Sequence, residues 1–221
     1  AKKAPVGQAA MPTQTTQASA AGSSIAYSAD HLANQFLIAM PGLEDEAFAR
    51  SVVYLCEHGP QGALGLVINK PSEINLQHLF DKLDLPLQRA DLSEALVFQG
   101  GPLQTERGFV LHDPMTAAGS DSDAPAYAST LVIPGGLEMT TSRDVLEALS
   151  SGVGPRRVLV SLGYSAWGEG QLESELGENS WLTVGADPAV IFDTPVEQRY
   201  DRALGLLGLQ AWMLSPDVGH A

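Results

Sequence analysis

The stretch SVVYLCEHGPQGALGLVIN, residues 51–69, decides how this chain is read. SVVYLCE (51–57) and ALGLVIN (63–69) are apolar runs of strand length, joined by His58-Gly59-Pro60-Gln61-Gly62. A linker this short, with two glycines, predicts an antiparallel hairpin. Both runs are nearly continuously apolar, so both faces of this hairpin are expected to be covered by other parts of the chain.

Outward from the hairpin, runs of strand type and helix type interleave without an internal repeat. Upstream, order should begin near His31, where LANQFLIAMP (32–41) is a β-compatible apolar run. Downstream, Leu76, Leu79, Phe80 and Leu83 fall at helical spacing and predict an amphipathic helix stopped by Pro86. Further strands are expected at LVFQ (96–99), GFVLH (108–112), STLVIP (129–134) and RVLVSLG (157–163). Thr141 and Asp144 form an approximate capping pair for a helix running to about Ser151 and ended by Gly152. A short helix is expected at 169–177, before strands at WLTV (181–184) and VIFD (190–193). A last helix begins after Pro195, with Gly208 as its stop. The class that follows is α/β or α+β in one domain.

That domain is assigned to residues 30–215. Residues 1–29 are small and polar, with Val6 and Ile25 as the bulky aliphatics, and are read as a disordered tail. Residues 216–221 are read as a flexible end, and the Ala-, Ser-, Asp- and Gly-rich segment 114–128 as a long surface loop. A chain of 221 residues with 44% hydrophobic content suits one core rather than two.

Charge limits the partners. The formal net charge is −14, and the first thirty residues hold only Lys2, Lys3 and Asp30, so residues 31–221 keep 10 Lys and Arg against 25 Asp and Glu. Nucleic-acid affinity comes largely from Lys and Arg displacing phosphate counterions, so direct DNA or RNA contact is not expected. A single cysteine, Cys56, cannot form an intramolecular disulfide, which favours a reducing compartment, the cytoplasm. The N-terminal residues hold no apolar stretch of the length of a signal-peptide core, and no run in the sequence approaches the length of a membrane span, so export and membrane insertion are not expected.

The specific chemical motifs are absent from the sequence. His31, His58, His78, His112 and His220 form no HxH, HExxH or CxxC arrangement, so no metal site is expected. Neither a Walker loop nor GxGxxG occurs, and no cofactor is expected. Cys56 and His58 would leave one face of a regular strand, yet a lone cysteine in VVYLC reads as a small core hydrophobe. GYSAWG (163–168) comes near the GxSxG nucleophile elbow, with Ser165 as nucleophile, but Trp167 stands where the closing glycine belongs.

There remain isolated arginines near turns and helix starts. Arg50 follows EDEAFA, Arg107 follows GGPLQTE, and Arg143 begins the TTSRD helix beside Thr141 and Ser142. If the chain brings them together, Arg50, Arg107, Thr141, Ser142 and Arg143 form a site for a small anion such as a phosphate or carboxylate. Asp144 would weaken it, and Glu46, Glu106 and Asp144 are ready ion-pair partners.

Several long segments resemble the AlgH/YqgE family of bacterial proteins. They are 36–71, GGPLQTERGFVLH (100–112), TTSRDVLEAL (140–149), LGYSAWGEGQLESEL (162–176) and ADPAVIFDTPVEQRYDRALGLLG (186–208). The family's DP after the first leucine is Asp45-Glu46 here, and its frequent GYAGW reads GYSAW, so family members with alanine in place of Ser165 speak against a hydrolase. The resemblance implies a compact domain with a mixed, largely antiparallel coiled sheet and flanking helices, in a family with no agreed biochemical activity. One branch has been called a transcriptional regulator of alginate production. The expected function is therefore a non-catalytic cytoplasmic regulatory module that binds a small anionic ligand. The alternatives are a hydrolase using Ser165 or Cys56, or a gene regulator acting indirectly through protein partners. Oligomeric state is left open by the sequence.

Overall fold

The computed structural model describes residues 32–116, 119 and 123–214. The expected tail 1–29 and flexible end 216–221 lie outside the described residues, as does part of the segment 114–128. The strands are β1 (Gln35–Ala39), β2 (Val52–Gly59), β3 (Gly62–Val67), β4 (Pro71–Asn75), β5 (Leu96–Gln99), β6 (Leu103–His112), β7 (Thr130–Val132), β8 (Glu138–Thr140), β9 (Val158–Trp167) and β10 (Trp181–Gly185). The helices are α1 (Leu76–Lys82), α2 (Asp144–Ser150), α3 (Gln171–Gly177), α4 (Pro188–Phe192) and α5 (Arg199–Gly205).

The expected hairpin is present as β2 and β3, and its turn is tighter than the linker suggested. Gly59 pairs with Gly62, so only Pro60 and Gln61 lie between the strands. Gly62 has φ +131°, and a Cβ there would overlap the carbonyl of Trp167, so a side chain is excluded on both counts. The pairing skips from Leu55↔Gly65 to Glu57↔Leu64, which leaves Cys56 as the extra residue of a β-bulge.

Alternation along β1 and β2 explains the continuous apolar runs. Phe36, Ile38, Val52 and Tyr54 join one core cluster, closed by Val190 and Ile191 of α4 and by Tyr200, Ala203 and Leu204 of α5. Leu37, Ala39, Val53 and Leu55 join a second, with Trp167, Trp181 and Leu172 of α3. Both faces are covered, and each fully buried Leu, Ile or Phe contributes about 1.5–3 kcal/mol.

One mixed sheet runs in the order β10-β1-β2-β3-β9-β6-β8-β7, with β4 and β5 joined to it through β5 and β9. The pairing of β5 with β9 is parallel and the other strand pairs are antiparallel. Strand β9 holds the sheet together. Val158 to Leu162 pair with β6, while Ser165 to Trp167 pair with β3. Gly163, at φ +78°, lies at the irregularity of the β6 pairing, which resumes at Leu103↔Tyr164, and packs against the carbonyls of Gly101 and Leu103. The sheet is curled, and its second half carries its own core of Val97, Val110, Val160, Phe80, Val145 and Leu149, covered by α1 and α2.

Several expectations are corrected. VIFD is helical, as part of α4: Pro188 occupies its first turn and the Asp187 side chain accepts from Ala189 N–H at 3.0 Å, which is the chemistry of a helix start. Helix α1 ends at Lys82, well before Pro86, because Asp84 turns the chain at φ +54°. Its start is an Asn75 cap that accepts from His78 N–H at 2.9 Å. Helix α2 stops as expected before Gly152, but its cap is Arg143 without a side-chain hydrogen bond, not Thr141. The strand expected at 157–163 continues to Trp167, and β4 and β8 were not anticipated, being short and poor in apolar residues.

Candidate functional site

Three of the five expected anion-site residues, Thr141, Ser142 and Arg143, line one groove between α1, α2 and the second half of the sheet. Its volume is about 210 Å³. Leu79, Leu83, Val110, Leu146, Val160 and Leu162 form its apolar part, and Thr140, Thr141, Ser142, Arg143 and Glu106 its polar part. Arg107, on β6, does not line the groove: its guanidinium carbon lies 5.7 Å from the Phe109 ring centroid, and it is linked to the groove through Nη2, which donates to Thr141 Oγ1 at 3.4 Å, while Nη1 donates to Gln104 Oε1 at 3.2 Å. Cross-strand pairing of Val110 with Thr140 brings the β6 and β8 contributors side by side.

Arg143 is exposed and lightly held. Its Nε lies 3.3 Å from Glu147 Oε1, and its Nη2 donates to the Leu83 carbonyl at 3.4 Å. An exposed i,i+4 pair of this kind is worth less than about 1 kcal/mol, so an incoming anion competes for the guanidinium at small cost.

The helix terminus itself contributes nothing to the site. Ser142 donates to Asp144 Oδ1 at 2.5 Å, and the Asp144 carboxylate accepts from the N–H groups of Val145 and Ala128. These hydrogen bonds outweigh the desolvation that partial burial imposes on Asp144 and hold its carboxyl below the usual range. With Asp144 and Glu147 in the first turn, the acidic residues already answer the helix dipole.

Arg50 lies elsewhere. It occupies a turn before β2 at φ +56°, with its guanidinium carbon 4.6 Å from the centroid of the Tyr200 ring. Its neighbours in that depression include Asn69, Lys70 and Glu197, none of which touches the groove of Arg107 and Arg143.

Neither nucleophile candidate has the geometry of one. Ser165 is fully buried inside β9 and donates to the carbonyl of Gly100 at 3.0 Å. It sits on a strand paired with β3, not on an exposed strand-to-helix turn, because β9 runs on past it. Cys56 is buried to 1% exposure in the bulge, and burial pushes its thiol far above the ordinary range, so the reactive thiolate is suppressed. His58 pairs with Glu173, its Nε2 at 2.6 Å from Oε1, and so has a carboxylate partner rather than the thiol. Among the described residues, no group of three or more His, Cys, Asp or Glu side chains could hold a metal ion.

A family model described as AlgH-like matches residues 36–212 of the 221. The chain belongs to the AlgH-like family. Its AlgH-like relatives are similar along most of their length. A UPF0301 protein from Polaromonas sp. (strain JS666 / ATCC BAA-500) is 76% identical over 191 residues, spanning 86% of this chain and 96% of that one. Another, from Variovorax paradoxus (strain S110), is 73% identical over 191 residues with the same coverage. Among solved structures, the solution structure of the AlgH protein from Pseudomonas aeruginosa is 47% identical, with TM-score 0.66, covering 85% of this chain and 95% of that chain. A crystal structure of a Corynebacterium diphtheriae protein, 22% identical with TM-score 0.58, covers 78% of this chain and 85% of its own, and bears on the fold alone.

Two features of this AlgH-like chain escaped the sequence reading. His112 is fully buried, with Nε2 at 2.7 Å from Thr140 Oγ1 and Nδ1 at 2.8 Å from the Asp113 carbonyl, and Thr140 Oγ1 in turn meets Thr130 Oγ1 at 2.8 Å. This polar chain ties β6 to β8 and β7 beneath the groove wall. The second feature is Arg199, 6% exposed and packed within α5. Its position three residues after Val196 and four before Ala203 places it on the helix's apolar stripe, which is the signal that marks it.

Proposed function

We propose that this AlgH-like protein is a non-catalytic regulatory module that binds a small anionic ligand in the groove between α1 and α2. The observation that carries this reading is the groove that Thr141 and Arg143 line above an apolar floor, with Arg107 hydrogen-bonded to Thr141 from beside it. Its volume, about 210 Å³, is below the roughly 300 Å³ at which sites for drug-sized ligands begin, so the ligand is small. A carboxylate or phosphate would engage the guanidinium groups while an apolar body lies against Leu79, Leu83 and Leu146. Burial of Ser165 and Cys56 supports the non-catalytic reading. The acidic surface argues for action through small molecules or protein partners rather than direct nucleic-acid contact, and the buried lone cysteine suits the cytoplasm. No helix among the described residues is long and apolar enough to cross a membrane.

The test is thermal denaturation of the full chain with hexanoate, phenyl phosphate and inorganic phosphate. A ligand that binds only the folded state stabilises it by about 2.7 kcal/mol at a hundredfold excess over Kd. The R107Q/R143Q double variant is expected to lose that response. A flat screen, or an equal response in the double variant, overturns the proposal.

A further inference from the structure

Arg199 presents an electrostatic problem that the groove does not. Its Nε donates to the Thr194 carbonyl at 3.0 Å, its Nη1 donates to the Ile68 carbonyl, and its guanidinium carbon lies 4.9 Å from the centroid of the Phe98 ring. Among the described residues no carboxylate forms an ion pair with it, and its Nη2 has no acceptor. Burial pulls this guanidinium down to about 10, still charged at neutral pH, with Glu197 opposing the shift through space. Two carbonyls, a ring face and the distant Glu197 answer this largely buried charge, and its third nitrogen, Nη2, is not sealed from solvent, so a counter-ion entering the adjoining cavity can reach it.

There is room for one. Arg199 lines a cavity of about 270 Å³ whose other walls include Leu96, Phe98, Ile191, Phe192 and Val196, with Glu94 also on its lining. We propose that this cavity is a second binding site, distinct from the groove of Arg107 and Arg143, that takes a small apolar monocarboxylate with its carboxylate on Arg199. One guanidinium balances one negative charge. Glu94 on the lining and Glu197 nearby disfavour a dianion more than a monoanion, and the largely apolar walls reward an organic body that inorganic phosphate lacks. The aromatic and branched walls would hold a ring or short alkyl chain of the size of benzoate or hexanoate. Arg199 also fastens α5 to the chain after β3 through the Ile68 carbonyl, so the test must separate binding from stability.

The full chain, with methyl groups of Leu, Ile and Val labelled, is titrated with benzoate, hexanoate and inorganic phosphate at constant ionic strength. The expected result is saturable shifts of the Ile191 and Val196 methyls with either carboxylate and none with phosphate. R199M is expected to weaken binding at least tenfold. V196W, which fills the cavity and leaves Arg199 in place, is expected to abolish the shifts, so the result does not depend on R199M folding. R107Q/R143Q is expected to keep them, which separates this site from the groove. Methyls unmoved by both carboxylates, shifts produced by phosphate, or wild-type affinity in R199M or V196W each overturn the assignment.

Discussion

Trp167 and Trp181 donate their indole N–H groups to the same oxygen of Glu175, at 2.9 and 2.8 Å. Their rings stand edge to face, with centroids 6.0 Å apart, and Phe48 packs against both. Through this one carboxylate, α3 is fastened both to the end of β9 and to the start of β10, so the contact closes the second core cluster. Glu175→Ala would leave two largely buried donors without an acceptor. The expected loss is about 2 kcal/mol or more, read by urea denaturation with a red shift in tryptophan emission. Glu175→Gln keeps an acceptor oxygen and should lose less; equal losses in the two variants would refute the shared-acceptor account.

A dependence on pH follows from Asp113. Arg157 donates to it from Nη2 at 2.6 Å and from Nε at 3.1 Å, and this hydrogen-bonded guanidinium holds the Asp113 carboxyl below the ordinary range. A lowered folded-state pKa means the contribution is complete above the unfolded value, near about 3.9, and is lost as pH falls through the folded value. Both side chains are partly exposed, so the contribution is held to about 1 kcal/mol. The stability gap between wild type and Asp113→Asn should therefore be present at pH 7 and narrow as the pH falls below the unfolded carboxyl value of about 3.9. A gap that stays constant across that range would contradict the pairing.

Cys56 should behave as a sealed thiol. With its side chain in the bulge and its Sγ directed to the Tyr54 carbonyl at 3.6 Å, alkylation by iodoacetamide in the native state should proceed only as fast as the protein opens. In urea the same thiol should react at the rate of a free cysteine. Rapid native-state labelling would show that the bulge is open.

Ser165 is a structural hydroxyl. Ser165→Ala removes its hydrogen bond to the Gly100 carbonyl, which keeps the one from Val67 N–H, at an expected cost of about 1 kcal/mol. A fluorophosphonate probe should leave this residue unmodified in the wild type. Covalent labelling at Ser165 would reinstate the hydrolase reading.

Local patterns carried the fold reading where a few neighbouring residues suffice. The hairpin at 51–69 is set by two apolar runs and a glycine-bracketed turn, and β5 and the stop of α2 follow from comparably short signals. The reading failed where two signals compete in one segment. At VIFD the branched residues suggested a strand, but Asp187 and Pro188 upstream start a helix, and Val190 and Ile191 are buried equally well on its inner side. At GYSAWG the near match to a nucleophile elbow pointed to a strand-to-helix turn, whereas pairing with β3 keeps the chain extended through Trp167.

The site divides the same way. Arg143, Thr141 and Ser142 are neighbours in sequence, so their grouping was legible; Arg107 joins them only because β6 pairs with β8, and Arg50 does not because its turn lies against Tyr200. Arg199 looks like a surface charge from its neighbours Glu197 and Asp201, and its place on the apolar stripe with Val196 and Ala203 is the one local signal against that.

What this sequence determined alone was its class, its acidic character, its family and the short elements whose periodicity and caps are encoded within a turn or two. Tertiary structure decided which side chains share a cavity and which nucleophiles are sealed, because those outcomes depend on cross-strand register and helix docking between residues as far apart as Ile68 and Arg199. No local window of the chain contains that information, since the energy that settles it is released only when distant apolar faces meet.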